Sequence, residues 1–213
     1  MIKAVLWDFG GVLTTSPFEA FNRYEYENNI PKDFIRKINS NNHESNAWAL
    51  FESSRISLEE FNDLVEQETK KAGYPIPGFK VLELLGGDLR PRMVNALKRC
   101  KERFKTACIT NNMKSGIGPV MVRTEKKASE MEKVMHLFDV VVESSVEGIR
   151  KPDPRIYKIA VSLLDVNPDQ IVFLDDLGIN LKPARAMGMK TIKVINEDQA
   201  LKELEEITGL PKL

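Results

Sequence analysis

Apolar residues recur along this chain at two spacings. Short unbroken apolar runs, the pattern of strands buried on both faces, fall at residues 3–7, 106–110, 140–143, 171–174 and 191–194. Between them, apolar positions every three or four residues predict helices over 91–104, 154–164, 181–187 and 198–208. Pro91 and Pro154 suit a first helical turn, and Gly188 suits a helix stop. Strands alternating with helices in this way predict an α/β fold with a parallel sheet and crossover helices.

Residues 16–90 break the alternation. They hold several helical patterns and no convincing strand, and read as a helical insertion after the first strand or as helices packed within one domain. Ser57-Leu58-Glu59-Glu60 is a capping-box sequence that opens a helix over 58–72. Residues 73–78 and the pair Gly86-Gly87 are turn-rich breaks. Residues 114–137 are longer than a usual connection between strands. A charged amphipathic helix is expected over 124–138. The irregular stretch 114–122, with Ile117, Val120, Met121 and Val122, reads as a packed loop or as part of a dimer contact.

Composition narrows the function classes. Lysine plus arginine and aspartate plus glutamate are equal at 31 each, so no basic excess points to nucleic acid. No apolar run approaches the length of a membrane span, and the first residues lack the pattern of a signal peptide. Cys100 and Cys108 make neither a metal-ligand spacing nor a disulfide framework. The expectation is a soluble cytoplasmic protein, monomer or homodimer, acting on a small molecule.

Candidate chemistry gathers at the strand ends. In an open parallel sheet, ligands bind outside the carboxyl ends of the strands. Asp8, Thr110 and the pair Asp175-Asp176 each follow a predicted strand directly, and Lys151 lies a few residues after another. One rim thus holds carboxylates, a hydroxyl and an ammonium, a set suited to phosphoryl transfer. Asp8 is the candidate nucleophile, and Gly10 and Gly11 after it let a ligand approach the backbone. Carboxylates meeting at a phosphate repel unless a hard cation such as Mg²⁺ lies between them. The Asp175-Asp176 pair reads equally as a helix N-cap, and the two uses are compatible.

The ordered set Asp8-Phe9-Gly10-Gly11, Ile109-Thr110-Asn111, Arg150-Lys151-Pro152-Asp153-Pro154 and Leu174-Asp175-Asp176-Leu177-Gly178 resembles the four motifs of the haloacid dehalogenase-like hydrolases. The resemblance implies a Rossmann-like core over residues 1–15 and 91–213 with a helical cap over 16–90. It implies a phosphatase that works through an aspartyl-phosphate on Asp8, with Lys151 and Asp175 in supporting catalytic roles. Mg²⁺ would be held by Asp8, the Gly10 carbonyl and Asp176, with Asp175 and Asn180 beside it; between Asp175 and Asp176 as the direct ligand, Asp176 is favoured. Thr110, Asn111 and Lys151 would bind the phosphoryl oxygens. The stretch from Glu143 to Arg185 is also similar to the N-terminal phosphatase domain of soluble epoxide hydrolase and of related acyl-CoA dehydrogenase fusion proteins. Epoxide hydrolysis belongs to another domain of those proteins, so phosphatase activity is the expectation for these 213 residues.

Gly10 departs from the family pattern, in which a second Asp at that position serves as acid and base. General acid–base help is worth about 10²–10⁴-fold. Either the substrate carries a good leaving group, or a residue of the insertion supplies the proton, with Glu19, His43 and Glu44 as candidates, or the chain chiefly binds phosphate. A metal-independent 2-haloacid dehalogenase needs no second Asp and is the alternative enzyme reading. Phe18, Trp48 and Phe51 are candidates to line the entrance, or to pack in a core.

Overall fold

The computed structural model describes residues 1–112 and 125–211. The stretch 114–122, with the contact expected of it, lies outside them. Five strands form one parallel sheet: β1 (Ala4–Trp7), β2 (Lys105–Thr110), β3 (Val140–Glu143), β4 (Ile171–Asp175) and β5 (Lys190–Lys193), in the order β3-β2-β1-β4-β5. The expected strands are all present, shifted by no more than one residue at an end. Trp7 is in register with Cys108 on one side and Leu174 on the other, so β1 is central and the residue after it opens on the middle of the rim. The chain lays strands on one side of β1 and then on the other, which makes the β1 end a topological switch point.

Helices cover both faces. Val5, Trp7, Cys108, Val172 and Leu174 pack with α6 (Pro91–Lys101), α7 (Glu125–Met135) and α11 (Glu197–Thr208). Leu6, Ile109, Phe173 and Val142 pack with α9 (Pro154–Leu164) and α10 (Gly178–Ala186). Local chemistry sets the helix ends. Asp153 caps α9 by accepting from the Arg155 N–H at 2.9 Å, with Pro154 at the first position. Three sequence expectations shift: α6 stops at Lys101 and α7 at Met135, each three residues short, and α10 begins at Gly178, three residues early, with Pro183 inside it.

The insertion contains α1 (Pro17–Glu27), α2 (Phe34–Ser40), α3 (Ala47–Glu52), α4 (Leu58–Lys71) and α5 (Gly78–Glu83). These helices bury their own cluster, including Phe21, Phe34, Trp48, Phe61 and Leu82. The capping box at α4 is formed: the Glu60 N–H donates to Ser57 Oγ and the Ser57 N–H to Glu60 Oε2. Entry and exit strands cross at an antiparallel bridge between Thr14 and Leu89, closed by Thr15 N–H to Asp88 O and Arg90 N–H to Leu13 O, both 2.8 Å. Gly87 permits this crossing, because a Cβ there would stand 2.6 Å from the Thr15 carbonyl. A four-residue helix, α8 (Ser144–Glu147), follows β3 and was not legible in the sequence. Among the described residues no helix is long and apolar enough to cross a membrane.

Candidate active site

Asp8 leaves β1 with its backbone N–H on the Leu174 carbonyl, which fixes it between β1 and β4. Its Oδ1 accepts from the Phe9 N–H at 2.7 Å and stands 2.8 Å from Lys151 Nζ. The same ammonium donates to Asp175 Oδ2 at 2.8 Å. Lys151 is 1% exposed, so a full positive charge is buried between two carboxylates. Burial alone would lower its pKa; the Asp175 and Asp8 charges reverse that and hold the ammonium above its ordinary range.

Asp175 spends its oxygens inside the protein. Oδ1 accepts from the Leu177 N–H at 2.8 Å, and Asn180 Nδ2 reaches both oxygens at 3.1 Å. The Asn180 carbonyl in turn accepts from Tyr157 Oη at 2.6 Å. The N-cap expected of the pair is not formed: Leu177 is the N-cap of α10, which has no side-chain cap, and Asp175 holds the backbone one step earlier, at the Leu177 N–H. Asp176 makes no side-chain hydrogen bond or ion pair to another described residue, and it lines the same cavity as Asp8. Burial, then the Asp175 charge, lift its carboxyl from 3.8 to about 6. Gly11 makes room for it: a Cβ there would lie 2.4 Å from Asp176 Oδ2, and φ is +74°.

Oxygens of Asp8, Asp175 and Asp176 lie within 4.8 Å of one another. Three carboxylates face one ammonium. Burial pushes the Asp8 carboxyl well up, and Asp175 and Asp176 add to that push against Lys151. A divalent cation fits this charge deficit, and the hard oxygen donors of Asp8 and Asp176 suit Mg²⁺. The Gly10 carbonyl accepts no hydrogen bond from a described residue, so it too is open to a ligand.

Thr110 ends β2, is buried, and faces the same cavity of about 180 Å³. Asn111 lines it as well, but its side chain is otherwise engaged. Nδ2 donates to the Lys151 carbonyl at 3.1 Å and Oδ1 accepts the Lys151 N–H at 2.8 Å, a reciprocal clamp on the lysine loop. Of the aromatic candidates, Phe18 and Trp48 line the cavity. Phe51 does not; it stacks on Phe61 with ring centroids 4.5 Å apart. The lining residues that went unassigned in the sequence include Asn112, which ties the ends of β2 and β3 together through Glu143, Ser144 and Ser145, and the pair Glu52 and Arg150. A larger cavity, about 510 Å³, lies beyond Arg150 and holds His43 and Glu44 but none of the carboxylates just described. Neither those two candidates nor the exposed Glu19 lines the Asp8 cavity.

A family profile for haloacid dehalogenase-like hydrolases matches residues 2–188. The chain belongs to that family and is a hydrolase. It is 36% identical over 98% of its length to mouse "Acyl-CoA dehydrogenase family member 10", and 30% identical over its full length to pig "Bifunctional epoxide hydrolase 2". It spans 19% of the first protein and 40% of the second. A "Phosphorylated carbohydrates phosphatase" of Thermotoga maritima is 29% identical over 95% of this chain and 91% of its own. Among solved structures, a predicted HAD-like family hydrolase of Porphyromonas gingivalis superposes with a TM-score of 0.68 at 18% identity, over 99% of this chain and 100% of that one. A HAD family enzyme of Bacteroides thetaiotaomicron, in complex with magnesium and inorganic phosphate, reaches 0.57 at 19% identity, covering 90% and 93%.

Proposed function

We propose that the chain is a Mg²⁺-dependent phosphatase that hydrolyses a small organic phosphate monoester through an aspartyl-phosphate on Asp8. The observation that carries this reading is the convergence of Asp8, Lys151 and Asp176 on one cavity at the end of β1, with Thr110 at its edge. Asp8 Oδ2, which accepts no hydrogen bond from a described residue, attacks phosphorus. Lys151 holds charge that develops on the phosphoryl oxygens, and Asp175 and Asn111 keep the lysine in place. Thr110 Oγ1 and the Asn111 N–H, which makes no other hydrogen bond to a described residue, orient the phosphoryl group. Mg²⁺ on Asp8, the Gly10 carbonyl and Asp176 would supply Lewis-acid stabilisation and screen the carboxylates from the phosphate. The helices of 16–90 serve as the cap, bringing Phe18 and Trp48 over the cavity.

The names of the relatives support this. The Thermotoga protein is a phosphatase by name, and a structural neighbour holds magnesium with phosphate. A metal-independent dehalogenase would suit Gly10, but it leaves the half-buried Asp176 carboxylate beside Asp8 without a use. The test is phosphate release from para-nitrophenyl phosphate and sugar 1-phosphates, with Mg²⁺ or EDTA, beside Asp8→Asn. Release that needs both the metal and Asp8 is expected. Activity on a 2-haloacid that is indifferent to EDTA would overturn the reading.

A further inference from the structure

A phosphatase of this kind needs a proton for its leaving group, and Gly10 has none to give. Packing does not demand the glycine, because a Cβ at position 10 meets nothing within 4 Å. The described residues that line the Asp8 cavity include no histidine, cysteine or tyrosine. Their carboxyls are Asp8, Asp176 and Glu52. The first two are taken by the nucleophile and the metal, which leaves Glu52, the last residue of α3.

The surroundings of Glu52 suit proton exchange. Its side chain is 13% exposed, and Arg150 Nη2 stands 3.0 Å from Oε2. That contact lacks the alignment of a hydrogen bond, and Oε2 has no hydrogen-bond partner among the described residues. Burial raises the carboxyl above its ordinary range, while Arg150 and then Lys151 pull it down. The site thus favours the acid by desolvation yet keeps a cation at hand for the anion. Arg150 is the residue before Lys151, so one loop carries both cations, and their spacing is fixed by the chain.

We propose that Glu52 is the general acid and base of this site, standing in from the inserted helices for the side chain that Gly10 lacks. The proposal rests on the phosphatase reading. In the first displacement Asp8 Oδ bonds to phosphorus, the ester P–O bond breaks, and the leaving oxygen takes the Glu52 proton. In the second, the Glu52 carboxylate takes a proton from water, the water oxygen bonds to phosphorus, and the Asp8–phosphorus bond breaks. Glu52 is then protonated again, and the sum is ester plus water to alcohol plus phosphate.

Phenyl phosphate and para-nitrophenyl phosphate, nearly alike in shape, test this because the first has the poorer leaving group. In the intact chain with Mg²⁺, Glu52→Gln should cut turnover of phenyl phosphate about 10²–10⁴-fold. With para-nitrophenyl phosphate the same variant should release a burst of about one nitrophenol per protein and then turn over slowly, because the second displacement lacks its base. Adding Gly10→Asp to Glu52→Gln should recover much of the loss, which also guards against misfolding of the single variant. Equal losses on both esters with no burst and no recovery would overturn the role of Glu52, as would turnover within threefold of the parent. So would a parent chain that cleaves the nitrophenyl ester but not the phenyl ester. Turnover that survives in Asp8→Asn would remove the phosphatase reading itself, and this one with it.

Discussion

Replacing Asp176 with asparagine tests the electrostatics of the site without reference to turnover. The substitution keeps the shape of the side chain and deletes one of three converging carboxylates. In the metal-free protein the Asp176 carboxyl titrates near 6 against an ordinary 3.8, a rise that corresponds to about 3 kcal/mol. The side chain is partly exposed, so solvent screening brings the expected effect to about 1–3 kcal/mol. The sign follows from linkage. A carboxyl whose pKa is raised by folding binds its proton more tightly in the native state, so stability falls as pH climbs from about 4 through about 6. Asparagine does not titrate, and its gain is therefore small, about 0.5 kcal/mol or less, at about pH 4 and complete above about pH 7.

Urea unfolding in EDTA at about pH 4 and about pH 8 reads this difference directly. Asp176→Asn should match the parent to within about 0.5 kcal/mol at the lower pH and exceed it by about 1–3 kcal/mol at the higher one. Mg²⁺ should then reverse the order. At a hundred times its dissociation constant the ion stabilises the parent by about 2.7 kcal/mol, and the variant by much less. A gain of the same size at both pH values would refute the electrostatic argument. Equal stabilisation of both proteins by Mg²⁺ would refute Asp176 as a ligand.

Three further outcomes follow from the same geometry. Lys151→Met strands the buried Asp8 and Asp175 charges and should cost about 3–5 kcal/mol near neutral pH, less in acid, by urea unfolding, with phosphatase activity lost. Gly11→Ala forces a Cβ into the Asp176 carboxylate at a positive φ; it should cost about 1–3 kcal/mol and weaken Mg²⁺ binding measured calorimetrically. Ser57→Ala breaks the capping box of α4 and should lower stability by about 1 kcal/mol while kcat stays within twofold of the parent.

What could be read from the sequence was whatever depends on neighbours along the chain. A strand buried on both faces announces itself as an apolar run, and the residue after it falls on the rim of a parallel sheet. That is why Asp8, Thr110, Asp175 and Asp176 were legible, and the register of β1 with β2 and β4 brings them together. The side-chain role of Asn111 was not legible. A Thr-Asn pair after a strand suggests a phosphate turn, whereas the Asn side chain here clamps a loop forty residues away. Trp48 and Phe51 stand three residues apart on α3 and share a helical face by spacing. Both do meet Phe61, Trp48 edge-on at 5.2 Å and Phe51 stacked at 4.5 Å, but of the two only Trp48 also lines the cavity. Glu52 was missed for the same reason, since its place depends on how α3 sits over the sheet.

That dependence divides the site into two parts. Asp8, Lys151, Asp175 and Asn180 are tied to each other and to strand ends by hydrogen bonds and ion pairs among the sheet, its loops and the first turn of α10. Glu52 and Trp48 belong to helices that enter and leave through the Thr14–Leu89 crossing. Those helices meet the rim at few polar points: Ser54 Oγ donates to the Ser145 carbonyl at 2.9 Å, and Glu52 pairs with Arg150. Both points fall on the segment after β3, the one that goes on to Lys151. In the proposed reaction, charge stabilisation would thus belong to the strand ends, whereas proton exchange would depend on how the inserted helices rest, among the described residues, on the segment after β3. A substitution at Ser54 or Arg150 should therefore change the response to leaving group and substrate shape, and leave Mg²⁺ binding at Asp8 and Asp176 nearly as it was.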